Sequence, residues 1–570
     1  MARPKRNILA VLALDSSGSC HASHPKQCLQ PDFDADLSSD ANNQQRTVLI
    51  AFRNLYGDHT GAVQASVIIN VLESYEITEK FHCFVGDNAS SNDNETIAAL
   101  NEHADINLNS SHRIRCERHI INLVVKATIY GKGVSKFEEQ LAAATPIDQF
   151  KLFRKLGAVG KLHNFVNAIC ASHKRREAFN NIQKQYNEEQ LLYNCTALKL
   201  VQDGGVRWHS VYLMLLRCKE LRGPIKRFIR EQCPDDDDDT RNSTASVTDK
   251  YDPLADKLTD EEWDEIEELV DFLQAPYEAC KLLEGDLGTS GYGSIWQTLI
   301  ILQSLWAIYT RPREGPRSKF ITAAIKYGKK KLDTYFDKLL LQPKVSYYAV
   351  ALALHPKLRL TWFKTHWKHY PKWYKKAEAD IRKVYARYLE AEVEADEAIP
   401  PPPTRRKLPF NHSSLYAQTT SVDLMLLTNT TAKRQKRVGQ LDDYFGNQSI
   451  DLNSESEHEQ QLLESDPWEW WLQRGRSDYP ILCKIAIDFL SIPATSCSNE
   501  RAFSKARRTI TCDRNSLAGA TIEALQLQKD WLLCGVVKSS LKDLEKHVSE
   551  YDKKHARQLT DSLPSEILSR

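Results

Sequence analysis

Two apolar periods alternate along the first part of this chain, and one replaces the other after it. The run "TVLIAF" (Thr47 to Phe52) is short, continuous and β-prone, which predicts a buried strand. The stretch "GAVQASVIINVLESYEI" follows with apolar residues at helical spacing, and "FHCFV" (Phe81 to Val85) predicts a second strand. Next come an amphipathic helix in "DNETIAALNEH" and a strand running into a helix in "RIRCERHIINLVVKATIYG". Strand and helix so interleaved predict an α/β layer over residues 46–134, with at least partly parallel strands. Residues 135–395 then read as helix almost throughout. Two stretches keep neither period. Residues 1–45 are Ser-, Asp-, Asn- and Gln-rich from position 16 onward and read as a disordered or degenerate N-terminus. Residues 396–465 contain "PPPPTRR", "NTTAKRQKR" and "NSESEHEQQ" and read as a disordered linker. Order returns over 466–535, and 536–570 reads as a helical tail. The fold class is thus α/β with a large all-α insertion, mostly helical overall.

Composition narrows the partners more than the fold. Only 22 glycines in 570 residues argue against a turn-rich all-β protein. The 13 cysteines, odd in number and irregular in spacing, fit reduced thiols of the cytosol or nucleus rather than a disulfide framework. They outweigh the faint likeness of "MARPKRNILAVLALD" to a signal peptide. No run of 18 apolar residues occurs, so no membrane partner is expected. The net charge of +1 leaves any nucleic-acid contact to local patches. Arg405 to Lys407 and Lys433 to Arg437 are short basic tracts suited to nuclear import or DNA contact. "TWFKTHWKHYPKWYKK" interleaves aromatics with lysine, a pattern that tracks a nucleic-acid backbone or, more commonly, folds its Trp residues into a core.

Five groups of residues can carry chemistry. Asp87 stands at the end of a strand, where it either reaches a hard cation or caps the next helix. Cys116 and His119 have C-x-x-H spacing, half of a zinc site with no second pair nearby. In "GGVRWHSVYLMLLR", Arg207 and Trp208 can hold a phosphate and stack a base, or the indole can anchor a helix start. In "TSCSNERAFSKARR", Glu500 falls in the first turn of a helix that also carries Arg501. Cys20, His21, His24 and Cys28 match no zinc-module spacing, and no zinc site is identified.

Taken in order, the stretches "LYGDHTGAVQA", "VGDNASSNDNETIAAL", "RCERHIINLVVKA", "GGVRWHSVYLML", "YYAVALALHP", "DPWEWWLQRGRSDYPILCKIAIDFLSIPATSCSNERAFS" and "RNSLAGATIEALQLQKDWL" resemble the hAT family of DNA transposases, in particular its fungal branch. The resemblance implies an RNase H-like catalytic core interrupted by a helical insertion. Residues 466–535 would form a C-terminal dimerisation region that completes the core. It implies three carboxylates holding two divalent cations, Mg²⁺ or Mn²⁺, with Asp87 as the second Asp and Glu500 as the Glu. It implies DNA contacts at transposon ends from Arg207, Trp208, Cys116, His119 and Arg501, self-association, and nuclear residence. The family's first Asp and its N-terminal zinc finger are not recognisable before Arg46, where Asp15 is the one candidate. The expectation is therefore an N-terminally truncated relative that binds DNA and dimerises with impaired catalysis. The alternatives are an active cut-and-paste enzyme using Asp15, and a helical interaction scaffold with no DNA role.

Overall fold

A computed structural model describes residues 8–15, 46–54, 60–88, 95–131, 134–190, 196–203, 208–232, 252–284, 294–311, 319–398, 439–446, 467–496, 499, 501–503, 506 and 519–533. The strands form two separate two-stranded sheets. β1 (Ile8–Asp15) pairs antiparallel with β2 (Arg46–Asn54), from Ile8 opposite Asn54 to Asp15 opposite Arg46, with a register shift between Val11 and Leu12. β1 lies within residues 1–45, read as a disordered or degenerate N-terminus, of which 8–15 are described. Its apolar run was visible, but its partner lies beyond an intervening polar stretch that hides the pairing from any local pattern. β3 (Phe84–Gly86) and β4 (Arg113–Arg115) pair in parallel, Val85 opposite Ile114. The strand expected from Phe81 begins only at Phe84.

The 61–74 helix (Gly61–Ser74) opens on Thr60, whose hydroxyl accepts from the Val63 amide, and buries Ala65, Ile68, Val71 and Leu72 at helical spacing. After β4 the chain is helical, as the 3.6-residue period predicts. The helices Glu117–Tyr130, Ala158–Ala171, Trp208–Glu220, Asp260–Glu284, Ile295–Thr310, Lys319–Phe336, Tyr347–Ala353 and Pro371–Ala398 share one hydrophobic core. Its largest fully buried side chains include Trp263, Trp367 and Trp471. Trp471 belongs to the helical run from Pro467, so the C-terminal block is built into this core rather than appended to it.

One element lies inside the stretch read as linker. Residues 439–446 form a short helix with Leu441 and Tyr444 buried. The Tyr444 hydroxyl donates to the Leu354 carbonyl at 3.1 Å, and its own carbonyl accepts from Arg359 at 2.9 Å. The guanidinium lies 4.5 Å from the Tyr444 ring centroid. The Ile481 amide donates to the Gln440 side chain. Composition misses this helix because three apolar residues among Gly, Gln and Asp carry too little periodicity. Its stability comes from the pocket it enters, not from propensity.

The C-terminal helix Gly519–Leu533 returns to the first strands. Leu49 and Phe52 donate their amides to Asp530 (2.8 Å) and Glu523 (3.1 Å), and the Trp531 indole donates to the Leu49 carbonyl at 2.9 Å. Leu49 and Phe52 pack there with Ile522 and Ala506.

A buried ionic knot fixes the start of the helical body. Asp256 is fully buried and accepts both Arg154 contacts, at 2.8 and 3.1 Å, together with the Asn164 amide at 3.2 Å. Asp256→Ala removes the carboxylate from a guanidinium that is itself largely covered. It is expected to cost about 3–5 kcal/mol, read as a lower urea midpoint by circular dichroism. A cost below about 1 kcal/mol would mean the knot contributes no more than a surface pair.

Candidate functional site at the end of the parallel strands

The parallel strands end together, and three separate parts of the chain meet there. The Cys116 amide donates to the Gly86 carbonyl at 2.9 Å, which extends the β3–β4 ladder by one bond. Cys116 is also the residue before the 117–130 helix, in extended conformation. Its thiol sulfur accepts from the Ser496 amide at 3.4 Å, and the next amide, of Glu117, donates to the Ala494 carbonyl at 2.9 Å. A strand end near residue 87 and the segment leading toward residue 500 are thereby tied to the same turn.

Asp87 is exposed at this point, directly after β3. Its main chain is held from below by Arg113, which is 6% exposed. One guanidinium nitrogen donates to the Asp87 carbonyl, and the other reaches the carbonyls of Ile114 and, at 3.4 Å, Gly86. Asn88 bridges to the Cys116 carbonyl and to Arg115, each at 3.5 Å. The Arg115 amide donates to the Tyr348 hydroxyl at 2.7 Å, and burial pushes that hydroxyl's pKa up. Arg113 and Tyr348 are positioning residues the sequence did not single out. An Arg within "RIRCERH" reads as surface charge until the strand carbonyls it satisfies are known. Arg113→Met removes charge-assisted bonds to several carbonyls and is expected to cost more than about 2 kcal/mol. Hydrogen exchange of the Gly86 to Asn88 amides should rise with it. Unchanged exchange at those amides would show that the strand end is held without the guanidinium.

The other expected residues are placed unequally. Cys116 is 1% exposed and serves the seam just described. His119 is half-buried on the first turns of the 117–130 helix. Trp208 is 3% exposed at the start of its helix, inside the main core with its ring against His209. In this position the indole packs at the start of its helix. Arg501 is half-buried. Glu500 and Arg207 lie outside the described residues, as do the Cys20–Cys28 cluster and the basic tracts 405–407 and 433–437. Among the described residues no three His, Cys, Asp or Glu side chains converge on a point that would hold a cation. Also among the described residues, no helix is long and apolar enough to cross a membrane.

Glu117 was missed altogether. It is fully buried, with neither carboxylate oxygen hydrogen-bonded among the described residues, and burial raises its pKa well above the model-peptide value of 4.5.

Two known domains match separate parts of the chain. Residues 440–532 match the hAT family C-terminal dimerisation region, taking in both the 439–446 helix and the block after Pro467. Residues 114–272 match the ZBED1 RNase-like helical domain. The chain is 24% identical over 507 residues to a protein of Talaromyces stipitatus named as the transcriptional regulator tpeD, covering 86% of this chain and 50% of that one. It is 24% identical over 507 residues to a Zea mays protein named as an AC transposase, covering 85% and 52%. With the zinc finger BED domain-containing protein DAYSLEEPER of Arabidopsis thaliana it shares 25% identity over 348 residues, covering 58% and 40%. The chain spans about half the length of the first two curated relatives it matches.

Proposed function

We propose, for what is a hAT-type, transposase-like chain, that it works as a self-associating DNA-binding protein in the nucleus with impaired strand-transfer chemistry. The observation that carries this reading is the seam at Cys116. It joins the Asp87 strand end to the segment preceding Glu500, the juxtaposition a hAT-type core requires, and it runs through the matched dimerisation region. DNA as partner is supported by the relatives' names, since a transposase and a transcriptional regulator both act on it. Impairment rests on the sequence. Asp15 lacks the sequence context that the resemblance leads one to expect around the first Asp, and two carboxylates from distant parts of the chain would hold two cations loosely; in such sites positioning is most of the catalysis. Mg²⁺ or Mn²⁺ would be held by Asp87 and Glu500.

A second reading, an active enzyme, gains support from β1. Asp15 ends a strand paired to β2 and so has a fixed main-chain position in the fold.

The test uses the full chain with a random-sequence duplex and a supercoiled plasmid. The proposed function predicts a dimer by light scattering, duplex binding that weakens steeply with salt, and no nicking in Mg²⁺ or Mn²⁺. Nicking that disappears in both Asp15→Asn and Asp87→Asn would establish the second reading. Absence of duplex binding at low salt would leave a helical interaction protein.

A further inference from the structure

From Arg359 to Ala377 the chain contains no Asp or Glu, yet it carries Lys364, Lys368, Lys372, Lys375 and Lys376. The first four are exposed, and none of them forms an ion pair among the described residues. Several other lysines of the helical body are paired. Lys219 pairs with Asp271, Lys329 with Asp333, and Lys376 with the buried Asp380. Lys372 and Lys375 are one helical turn apart on the Pro371–Ala398 helix, and the Lys364 ammonium lies 5.9 Å from the ring of Tyr374 between them, while Lys368 stands in the turn that joins the two helices. Two of the four stand in the first turns of the Pro371–Ala398 helix, where the backbone dipole favours carboxylates and none is present. Like charges gathered in this way repel one another unless an external anion covers them.

The platform beneath them is rigid. Trp362, Phe363 and Trp367 are buried, so most aromatics of the stretch are core. Trp373 stacks on Phe336 at 5.4 Å and on Tyr370 at 4.6 Å, and Tyr370, 37% exposed, meets the edge of Trp306 at 6.0 Å. The lysines therefore project from a fixed aromatic knuckle with a tyrosine face beside them. Neutralising a row of phosphates needs cations held in register, which this surface supplies.

We propose that the Lys364–Lys375 knuckle is a binding surface for the phosphate backbone of duplex DNA, separate from the strand-end site. This rests on the reading that the chain binds DNA and adds where and how. The contact is electrostatic and indifferent to sequence.

The test is fluorescence anisotropy of a random-sequence duplex titrated with the full-length chain from 50 to 250 mM salt. The variants are Lys368→Gln/Lys372→Gln/Lys375→Gln and a control, Lys155→Gln/Lys174→Gln/Lys184→Gln, in exposed lysines on another part of the body. The knuckle variant is expected to lose about three from the salt slope and at least about tenfold in affinity at low salt. The control should lose much less. Equal losses in both, or none in the knuckle variant while the wild-type chain binds, would overturn the surface assignment and leave DNA binding intact. Failure of the wild-type chain to bind duplex would overturn both. Tighter binding of the wild-type chain to anionic vesicles or single-stranded RNA, lost in the knuckle variant, would reassign the surface to those polyanions. Unchanged near-ultraviolet circular dichroism is required of each variant.

Discussion

Replacing Glu117 by leucine should stabilise the protein at neutral pH by about 1–4 kcal/mol, the usual gain when a buried, poorly paired ionisable group gives way to an apolar one of similar size. The carboxyl is fully buried, and neither oxygen has a hydrogen-bond partner among the described residues. Because burial raises its pKa in the folded chain, the folded state holds a proton that the unfolded state releases from about pH 4.5 upward. The wild-type chain is then most stable, as far as this group is concerned, below the unfolded pKa. That contribution falls as pH rises toward the folded pKa, by at most about 1.4 kcal/mol per pH unit. Glu117→Leu removes the dependence, so the urea midpoints of variant and wild type should lie closest near pH 4.5 and diverge between pH 5 and 8. A variant that is less stable at every pH, with no divergence, would mean that the carboxyl contributes an interaction worth more than its burial costs.

Ending the chain at Asp466 should abolish the fold rather than merely the dimer. Trp471 and Phe489 are fully buried in the main core, and the Trp471 indole donates to the Leu354 carbonyl at 2.7 Å. The Ile295 amide donates to the Ile492 carbonyl, and Ser294 to that of Leu490 at 2.7 Å. Removing one buried Trp typically costs about 3–5 kcal/mol. Removing the whole block exceeds the roughly 5–15 kcal/mol by which most proteins are stable. The expected result is an aggregating chain without near-ultraviolet circular dichroism. A soluble monomer that retains that signal would show the helical body to be independent, and the C-terminal block to serve association only.

What the sequence revealed and what it hid divide along the reach of its patterns. The "RIRCERHIINLVVKATIYG" stretch reads correctly as strand, turn and helix, because both periods are local and the turn falls between them. The all-helical character after residue 135 is legible for the same reason. β1 was half legible: its apolar run is plain, but pairing with β2 is a long-range event that no local window contains. Trp208 shows a different limit. The same Gly-Gly-Val-Arg-Trp context suits a base-stacking ring and a core anchor, and only tertiary packing distinguishes them. Glu117 reads as an exposed helix N-terminal acid, the commonest place for one. Its burial follows from residues 490–496 closing over the helix start, a contact with a sequence separation of more than 300 residues. Asp87 was found by its strand-end position, while the arginine holding that position was not, because its partners are main-chain carbonyls with no sequence signature.

The bond between the Trp531 indole and the Leu49 carbonyl spans 482 positions, and this separation sets a schedule for the newborn chain. At ribosomal rates of roughly 5–20 residues per second, β2 leaves the ribosome on the order of half a minute or more before the helix that covers it exists. Throughout that interval Leu49 and Phe52 are uncovered on a β-prone segment. Production of this protein is therefore expected to depend on chaperones that shield an early strand, and slower translation lengthens the exposure.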